Sequence, residues 1–399
     1  MQSLPLVSRT AQAIQETPRG DLAVMLTGGG ARAAYQAGCI KGLARHFPHL
    51  QIQIITGVSA GAINAMFLAA RRGSLAQKAD ELAEMWGELH CSNIWHFSLK
   101  SLIPFRSALA SVFWRKKWSR PHGVVDTAPL AELLYRIYDG EPGKAIKGVK
   151  DNLEEGWLKA VALMTMNYST GQSVRWFQGR DIEMWSGANR RSVAAELTVE
   201  HVMASSALPF LFPAIEIGRE WHGDGGIRLA SPLSPAVHLG ATRIIAMSTG
   251  YQRTVEEANA PDVTGYPPAA QIMGQLMNAV FLDVIDEDVA RLQRMNELLR
   301  NTPVQDRVGF KPIELLVLRP TIDPGKLAAE YEEHLPRDLK LLTRAMGAKE
   351  TDSADFVSML MFEPHYTRRL IEAGEADVAS RLGEIRQFLG EPMPHAVGL

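Results

Sequence analysis

Cysteine is scarce in this sequence, and an excess of either charge is missing. Its 399 residues contain two cysteines, Cys39 and Cys91, which are too few for a disulfide framework or a cysteine metal site. Lysine and arginine together number 42 against 44 aspartate and glutamate residues, so the formal net charge is −2. This balance argues against bulk attraction to nucleic acid or to an anionic surface. Any contact with a membrane would therefore have to come from a local patch.

A secretion signal and a convincing membrane span are also missing. Residues 1–20 have no apolar core of signal-peptide length, so we interpret them as a short leader. The uncharged stretch Gln51–Ala70 is long enough for a marginal membrane span, but glycines and Ser59 interrupt it. It is better interpreted as a strand, a sharp turn and a buried helix. We expect a cytoplasmic protein whose contact with membranes is at most peripheral.

Short apolar runs alternate with helical patterns, which predicts an α/β fold with a mainly parallel sheet between two layers of helices. Helices are predicted at Ala33–Phe47 and Ala60–Ala70, and a long helical region at Pro268–Asn301 with a break near Asp286–Asp288. The predicted strands are Asp21–Leu26, Gln51–Ile55, Leu158–Thr165, Ser173–Phe177, Ile215–Ile217, Trp221–His222, Arg243–Ser248 and Ile313–Leu318.

No repeat and no low-complexity linker divides the chain, which favours one continuous domain after the leader. Residues 21–250 are predicted to form its core. Residues 251–399 form a mostly helical C-terminal section, which adds one further strand at about 313–318 and continues from the core.

The pentapeptide Gly57-Val58-Ser59-Ala60-Gly61 has the G-x-S-x-G pattern of a nucleophile elbow. A strand is predicted before it and a helix after it, as an elbow requires. Gly57 and Gly61 permit a tight turn that a Cβ atom would crowd. The hydroxyl would then lie at a helix N-terminus, where the helix dipole favours developing negative charge. A glycine-rich turn with a capping serine is the structural alternative.

A glycine loop, Gly28-Gly29-Gly30, follows the first predicted strand and precedes a helix. Successive glycines let backbone N–H groups point at one spot, which suits a phosphate or the oxyanion of a tetrahedral intermediate. The glycine and lysine patterns of nucleotide-binding loops are missing here. Arg32 could brace the loop or meet a substrate phosphate, and a surface position in the first helical turn is its alternative.

Two further segments complete a recognisable set. The run Ala204–Ala214 (ASSALPFLFPA) precedes a DGG sequence that begins at Asp224, 165 residues after the elbow serine. Alone, an aspartate between glycines is often only a turn residue. In this order, GGGAR, GVSAG, ASSALP and DGG resemble the patatin-like phospholipase family. Phe281–Leu299 and the stretch around Phe362–Gly374 also resemble bacterial members, so the similarity spans about residues 20–390.

The resemblance implies a patatin-like three-layer α/β/α fold and a serine–aspartate dyad without histidine. Ser59 would attack an ester carbonyl and become acylated. Asp224, on a loop shaped by Gly225 and Gly226, would accept the hydroxyl proton of Ser59. The glycine loop and Arg32 would form the oxyanion hole. The implied activity is hydrolysis of phospholipids, lysophospholipids or other carboxylic esters, with neither a metal nor a cofactor.

The chain departs from the family pattern in two places. Ala33 stands where the loop usually has glycine, which could tighten the oxyanion loop. Ala230-Ser231-Pro232 stands where an Asn-x-Pro sequence is common, which could alter the support behind Asp224.

Two other functions stay open. An α/β-hydrolase esterase would use a histidine triad, but its fold normally places several strands before the nucleophile, and here only one or two are predicted. A catalytically silent lipid-binding protein is the second, motivated by Ala33. The candidate histidines for a triad are His222, His238, His334, His365 and His395.

Aromatic residues crowd the segment Ile94–Trp118, with a basic trio at Arg115–Lys117. This composition is typical of a membrane interface, and packing within a helical insertion is the alternative. Pro268–Asn301 could cover an acyl channel or be structural. The predicted partner is a phospholipid or other fatty-acyl ester, and the sequence predicts no particular oligomeric state.

Overall fold

The computed structural model describes residues 21–97, 123, 125–180, 182–260, 263, 265–345 and 354–391. The predicted leader at 1–20, residues 98–118 of the predicted interface segment and His395 lie outside the described residues. Within the described residues, no helix combines the length and the apolar character needed to cross a bilayer.

The strands of the described residues are β1 (Leu22–Leu26), β2 (Ile54–Val58), β3 (His96–Phe97), β4 (Val125–Asp126), β5 (Ala160–Asn167), β6 (Ser173–Gly179), β7 (Arg190–Ala194), β8 (Ile215–Ile217), β9 (Glu220–Asp224), β10 (Arg243–Met247) and β11 (Glu314–Leu318). The α-helices are α1 (Ala34–His46), α2 (Ala60–Ala70), α3 (Leu75–Gly87), α4 (Ala128–Ile137), α5 (Lys147–Glu154), α6 (Val199–Ser205), α7 (Ser234–His238), α8 (Val255–Asn259), α9 (Ala269–Phe281), α10 (Val284–Asn301), α11 (Pro324–Glu330), α12 (Arg337–Ala345), α13 (Asp355–Leu360), α14 (Pro364–Ser380) and α15 (Leu382–Leu389).

Nine of these strands form one mixed sheet in the order β11-β10-β1-β2-β5-β6-β7, with β9 paired to β5 and β8 paired to β9. β3 and β4 form a separate antiparallel pair. Neighbouring strands from β11 to β5 are parallel, and so are β6 and β7. The pairs β5–β6, β5–β9 and β8–β9 are antiparallel. The predicted α/β class with a mainly parallel sheet is therefore confirmed.

Alternate residues of β1 face two different layers of helices, as expected for a strand buried on both faces. Leu22, Val24 and Leu26 join the larger core cluster, which includes residues of α1, α2 and α3. Ala23 and Met25 join a smaller cluster with residues of α7 and α10. The sheet therefore lies between helices on both faces, as the three-layer prediction requires.

The strand predictions need correction at β2 and β7, and the two-residue strands β3 and β4 were not predicted either. β2 begins at Ile54 rather than Gln51. Continued pairing with β1 would use the N–H of Leu22, but this N–H donates to the side-chain carbonyl of Gln53 instead. β7 was missed altogether. Its sequence, Arg190–Ala194, carries two arginines and no apolar alternation, which suits its position at the edge of the sheet.

The long helical region at Pro268–Asn301 is two helices, with the break at Leu282 and Asp283. The backbone N–H groups of Leu282 and Asp283 both donate to the carbonyl of Asn278. The predicted break near Asp286–Asp288 was wrong because these residues lie within α10, and Asp286 and Glu287 occupy its first turn, where acidic side chains favour helix initiation.

The register of the sheet places the ends of β2 and β9 side by side. β2 pairs with β5 as far as Val58 opposite Met164, and β9 pairs with β5 from Thr165 opposite Asp224. Because β6 occupies the other edge of β5, β2 and β9 follow one another along the same edge. The residue after Val58 is therefore adjacent to Asp224.

Close packing of α1 on α14 depends on glycines. A Cβ atom on Gly38 would lie 2.0 Å from the carbonyl oxygen of Ile371, and one on Gly374 would lie 2.3 Å from the carbonyl oxygen of Tyr35. These helices bring the C-terminal section against the first helix of the core.

We expect Gly38→Ala to lower the free energy of unfolding by about 1–3 kcal/mol, the usual cost of overpacking. The gain in helix propensity, about 1 kcal/mol, is too small to offset a clash with backbone that cannot move aside. Urea unfolding would measure this change. Gly187→Ala is the control because a Cβ atom there meets nothing within 4 Å; equal effects of the two substitutions would contradict the packing argument.

Candidate active site

Ser59 has a backbone conformation that side chains seldom adopt. Its φ is 55° and its ψ is −133°, at the junction between β2 and α2. A Cβ atom on Gly57 would lie 2.4 Å from the carbonyl oxygen of Gly61, and one on Gly61 would lie 2.4 Å from the carbonyl oxygens of Leu26 and Thr27. The two glycines are therefore sterically required, and the structure has the strand, turn and helix predicted around the serine.

The hydroxyl of Ser59 donates to Oδ2 of Asp224 at 2.6 Å. Ser59 is 6% exposed and Asp224 is 0% exposed. The other carboxylate oxygen, Oδ1, accepts the N–H of Gly226 at 2.8 Å. Burial raises the pKa of Asp224 to about 7, although the hydrogen bonds from Ser59 and Gly226 act in the opposite direction. The carboxylate is thus held toward the serine and titrates near neutral pH.

The glycines after Asp224 leave room for neighbouring groups. A Cβ atom on Gly225 would lie 2.1 Å from the carbonyl oxygen of Met164, and one on Gly226 would lie 2.3 Å from the ring of Phe281. These close approaches let the chain turn directly after the carboxylate.

The glycine loop fits against Ser59 and Thr249 without room for side chains. A Cβ atom on Gly28 would lie 2.8 Å from Cβ of Ser59, and one on Gly29 would lie 2.2 Å from Oγ1 of Thr249. Gly29 has φ 138° and Gly30 has φ 58°, conformations that glycine adopts at little cost. The loop therefore lies in direct contact with the elbow.

Two carbonyl groups of the loop are already engaged. The carbonyl of Gly28 accepts a hydrogen bond from the Thr249 hydroxyl, and the carbonyl of Gly29 accepts from the N–H of Arg32 at 3.2 Å. In a trans peptide the N–H points opposite to the carbonyl, so the N–H groups of Gly29 and Gly30 point away from these partners. Neither N–H donates a hydrogen bond to any described residue.

Arg32 does not point into the space beside Ser59. It is 2% exposed, and its guanidinium forms an ion pair with Asp355 at 2.5 Å and a hydrogen bond with the hydroxyl of Ser358 at 2.6 Å. Asn278 of α9 also donates to Asp355 at 2.8 Å. The prediction that Arg32 contributes to the oxyanion hole therefore needs correction for its side chain. Of the two roles considered, bracing the loop or meeting a substrate phosphate, the structure shows the first: Arg32 braces the loop against α13.

An apolar cavity opens beside the elbow. Ser59, Gly29 and Gly30 form one side of it, and most of its other lining side chains are aliphatic or aromatic. Phe281 at the end of α9 contributes, so the long helical region does border this cavity. The remaining lining residues are Ala60, Ile63, Ile94, Leu130, Ser206, Leu208, Phe212, Met359, Leu360 and Phe362.

Two serines of the ASSALP run support the elbow, and the sequence analysis did not identify them individually. The hydroxyl of Ser205 accepts the N–H of Ser59 at 3.1 Å, and the hydroxyl of Ser206 donates to the carbonyl of Ser59 at 3.0 Å. The N–H of Asp224 donates to the carbonyl of Ala207 at 3.0 Å. The run therefore forms hydrogen bonds with both Ser59 and Asp224, and its proximity to DGG in the sequence was the available signal.

No described histidine forms a hydrogen bond with Ser59 or Asp224. His222 is buried, and its Nδ1 lies 3.0 Å from the hydroxyl of Thr165. His238 stacks on Trp185. His334 and His365 pack against each other, with ring centroids 4.6 Å apart.

The two departures from the family pattern are accommodated. Ala33 has an ordinary helical backbone, with φ −66° and ψ −12°, so glycine is not needed there. Near the second departure, the hydroxyl of Ser231 accepts from Arg291 at 3.3 Å, whereas Asp224 is supported by Gly226 instead.

Comparisons with known proteins identify the family of this chain. A sequence profile described as Patatin-like phospholipase matches residues 24–237. A search of curated proteins found no match. Solved structures that resemble the chain include VipD from Legionella pneumophila, with 13% identity, coverage of 89% of this chain and 67% of that chain, and a TM-score of 0.30.

Two further solved structures are similar. Human GIVD cytosolic phospholipase A2 has 11% identity, coverage of 93% of this chain and 60% of that chain, and a TM-score of 0.45. The type III effector protein ExoU has 12% identity, coverage of 91% of this chain and 53% of that chain, and a TM-score of 0.32. The alignment with these two covers less than two thirds of their length. The profile match extends over more than half of the sequence, and the chain therefore belongs to the patatin-like phospholipase family.

The buried ion pair of Arg32 and Asp355 can be tested by a double-mutant cycle. We expect Asp355→Leu alone to lower the free energy of unfolding by about 3–5 kcal/mol because it leaves the guanidinium buried without its partner. Arg32→Met combined with Asp355→Leu should cost much less than the two single changes added together. Chemical denaturation would measure all three, and additive losses would contradict the coupling. Arg369→Met removes an exposed pair with Glu372 and should cost less than about 1 kcal/mol.

Proposed function

We propose that this protein hydrolyses lipid acyl esters through an acyl-enzyme on Ser59, with Asp224 as the general base. The observation that carries the proposal is the 2.6 Å hydrogen bond from the Ser59 hydroxyl to a buried carboxylate, beside an apolar cavity. Family membership supports lipid hydrolysis as the class of activity.

In the proposed acylation, Oγ of Ser59 attacks the ester carbonyl carbon while Asp224 takes the hydroxyl proton. A carboxylate with an ordinary pKa near 4 is a weak base toward a hydroxyl. Burial raises the pKa of Asp224 to about 7, which makes it a stronger base that is still ionised in a large fraction of molecules at neutral pH. The proton then passes to the departing alcohol as the tetrahedral intermediate collapses.

The oxyanion of that intermediate is proposed to bind the N–H groups of Gly29 and Gly30. Three features support this: both glycines line the cavity with Ser59, their N–H groups have no acceptor among the described residues, and their peptide planes are held by Thr249 and Arg32. Donors fixed before the reaction stabilise developing charge without further reorganisation. In deacylation, Asp224 would take a proton from water as the water attacks the acyl-enzyme, and Ser59 would recover its proton.

The cavity favours a substrate with a hydrocarbon chain. None of the described residues that line the cavity has a charged side chain, and most are aliphatic or aromatic. Burial of an acyl chain against them would be favourable because it removes apolar surface from water. Phospholipids, lysophospholipids and other fatty-acyl esters share this chain, and all fit the proposal.

We expect Ser59→Ala to abolish turnover of a chromogenic fatty-acyl ester because, among the described residues, Ser59 is the hydroxyl that donates a hydrogen bond to Asp224. Labelling by a fluorophosphonate should also disappear, whereas Ser74→Ala, at an exposed serine, should leave both signals unchanged. Circular dichroism would establish that the variants are folded. Residual turnover above a few per cent would rule out Ser59 as the nucleophile, and a wild-type protein that neither reacts with the probe nor turns over the ester would favour the silent lipid-binding alternative.

We also expect kcat/KM to rise with pH through a midpoint of about 7, since Asp224 must be ionised to accept the proton. The profile should be measured with a non-ionising fatty-acyl ester. His222→Asn and His238→Gln should keep the same midpoint, because neither ring contacts the dyad. If either histidine variant lost this rise of kcat/KM with pH, the result would instead favour a histidine triad.

A further inference from the structure

A cleft on the other face of the sheet contains several arginines. It lies where Arg175 of β6 and Arg190 of β7 meet Arg228, which ends the short 3-10 turn after Asp224. Arg175 shares a sheet face with Phe177, which belongs to the smaller core cluster. Six residues that line the Ser59 cavity belong to the larger cluster on the opposite face, namely Ala60, Ile63, Ile94, Leu130, Leu360 and Phe362. The cleft and the Ser59 cavity are therefore separate sites on opposite faces.

Arg175 is buried without a countercharge. Its exposure is 7%, and its Nε and Nη2 atoms are inaccessible with no hydrogen-bond acceptor. Its guanidinium lies over the ring of Phe177, at 5.7 Å from the centroid. Burying a charge without a partner is costly, so such residues are normally paired. Arg175 therefore carries positive charge that no described acidic residue offsets at close range.

The charges around the cleft add to this excess. Arg190 lies over Trp185, at 5.8 Å from the ring centroid, and Arg228 is exposed; neither forms an ion pair with a described residue. The fourth arginine, Arg191, is paired with Glu220 at 2.5 Å.

The nearby acidic side chain is also engaged. Asp288 accepts the N–H of Leu233 at 2.9 Å and lies 3.5 Å from Arg291. His238 stacks on Trp185, and its pKa is lowered by burial and by the charges of Arg175 and Arg190. A positive potential in the cleft is consistent with that shift.

We propose that Arg175, Arg190 and Arg228 form a binding site for a phosphate-class dianion. Guanidinium groups donate paired hydrogen bonds that match phosphate oxygens. A phosphate monoester carries close to two negative charges at neutral pH and has three terminal oxygens, so it offers one oxygen to each of three arginines, whereas a carboxylate has two oxygens and a single charge. The hydroxyls of Ser192, Ser231 and Ser234 also line the cleft and could donate to the same ligand.

The proposal does not rest on catalysis by Ser59, and it is tested by binding. Inorganic phosphate should be titrated into the full chain by calorimetry, at constant ionic strength with chloride as the balancing anion. We expect saturable binding to wild type. Arg228→Gln, at an exposed position, and Arg175→Met should each weaken the affinity by about tenfold, the usual effect of losing a charge-assisted hydrogen bond. Arg369→Gln, an exposed arginine on α14, is the control and should bind as wild type does.

Two further probes distinguish the source of the phosphate. Glycerol 3-phosphate represents a soluble ester, and vesicles of phosphatidylcholine with or without phosphatidic acid represent a lipid headgroup. If wild type binds either probe and Arg228→Gln does not, the result supports the site and identifies the source of the phosphate. Absence of binding to all three probes, or equal affinity in wild type and Arg228→Gln, overturns the proposal even if Arg175→Met fails to fold.

Discussion

The antiparallel pairing of β9 with the end of β5 is the constraint on which the candidate site depends. β5 carries β2 and then β9 along one edge, so the residue after β2 and the last residue of β9 become neighbours. Ser59 and Asp224 meet there although they are 165 residues apart. A slip of two residues in the β9 register would move the carboxylate by about 6–7 Å along the strand, well beyond hydrogen-bonding distance.

Polar side chains and glycines then hold the two residues in place. Ser205 and Ser206 bond to the backbone of Ser59, and Thr249 bonds to the glycine loop. These groups are buried, so each hydrogen bond also avoids the cost of an unsatisfied polar atom. The strained conformation of Ser59 persists because its surroundings fix it from several directions.

Much of the site could be predicted from the sequence because its motifs depend on local chemistry. Glycines at the elbow and in the loop report close backbone approach, and the structure places them in such contacts. The role of Arg32 was harder to predict, since its partner Asp355 lies 323 positions away and outside any motif. The edge strand β7 was missed because an arginine-rich sequence gives no strand pattern. Arg175 also gave no signal, since burial without a partner is visible only in three dimensions.

The dependence of the glycine loop on α13 has a consequence for protein synthesis. During translation, the segments carrying Ser59 and later Asp224 leave the ribosome long before Asp355 does. Until that residue emerges, Arg32 lacks its counterion and the loop lacks its brace. A nascent chain that already carries Ser59 and Asp224 would therefore hold them beside an unbraced loop until α13 has been synthesised.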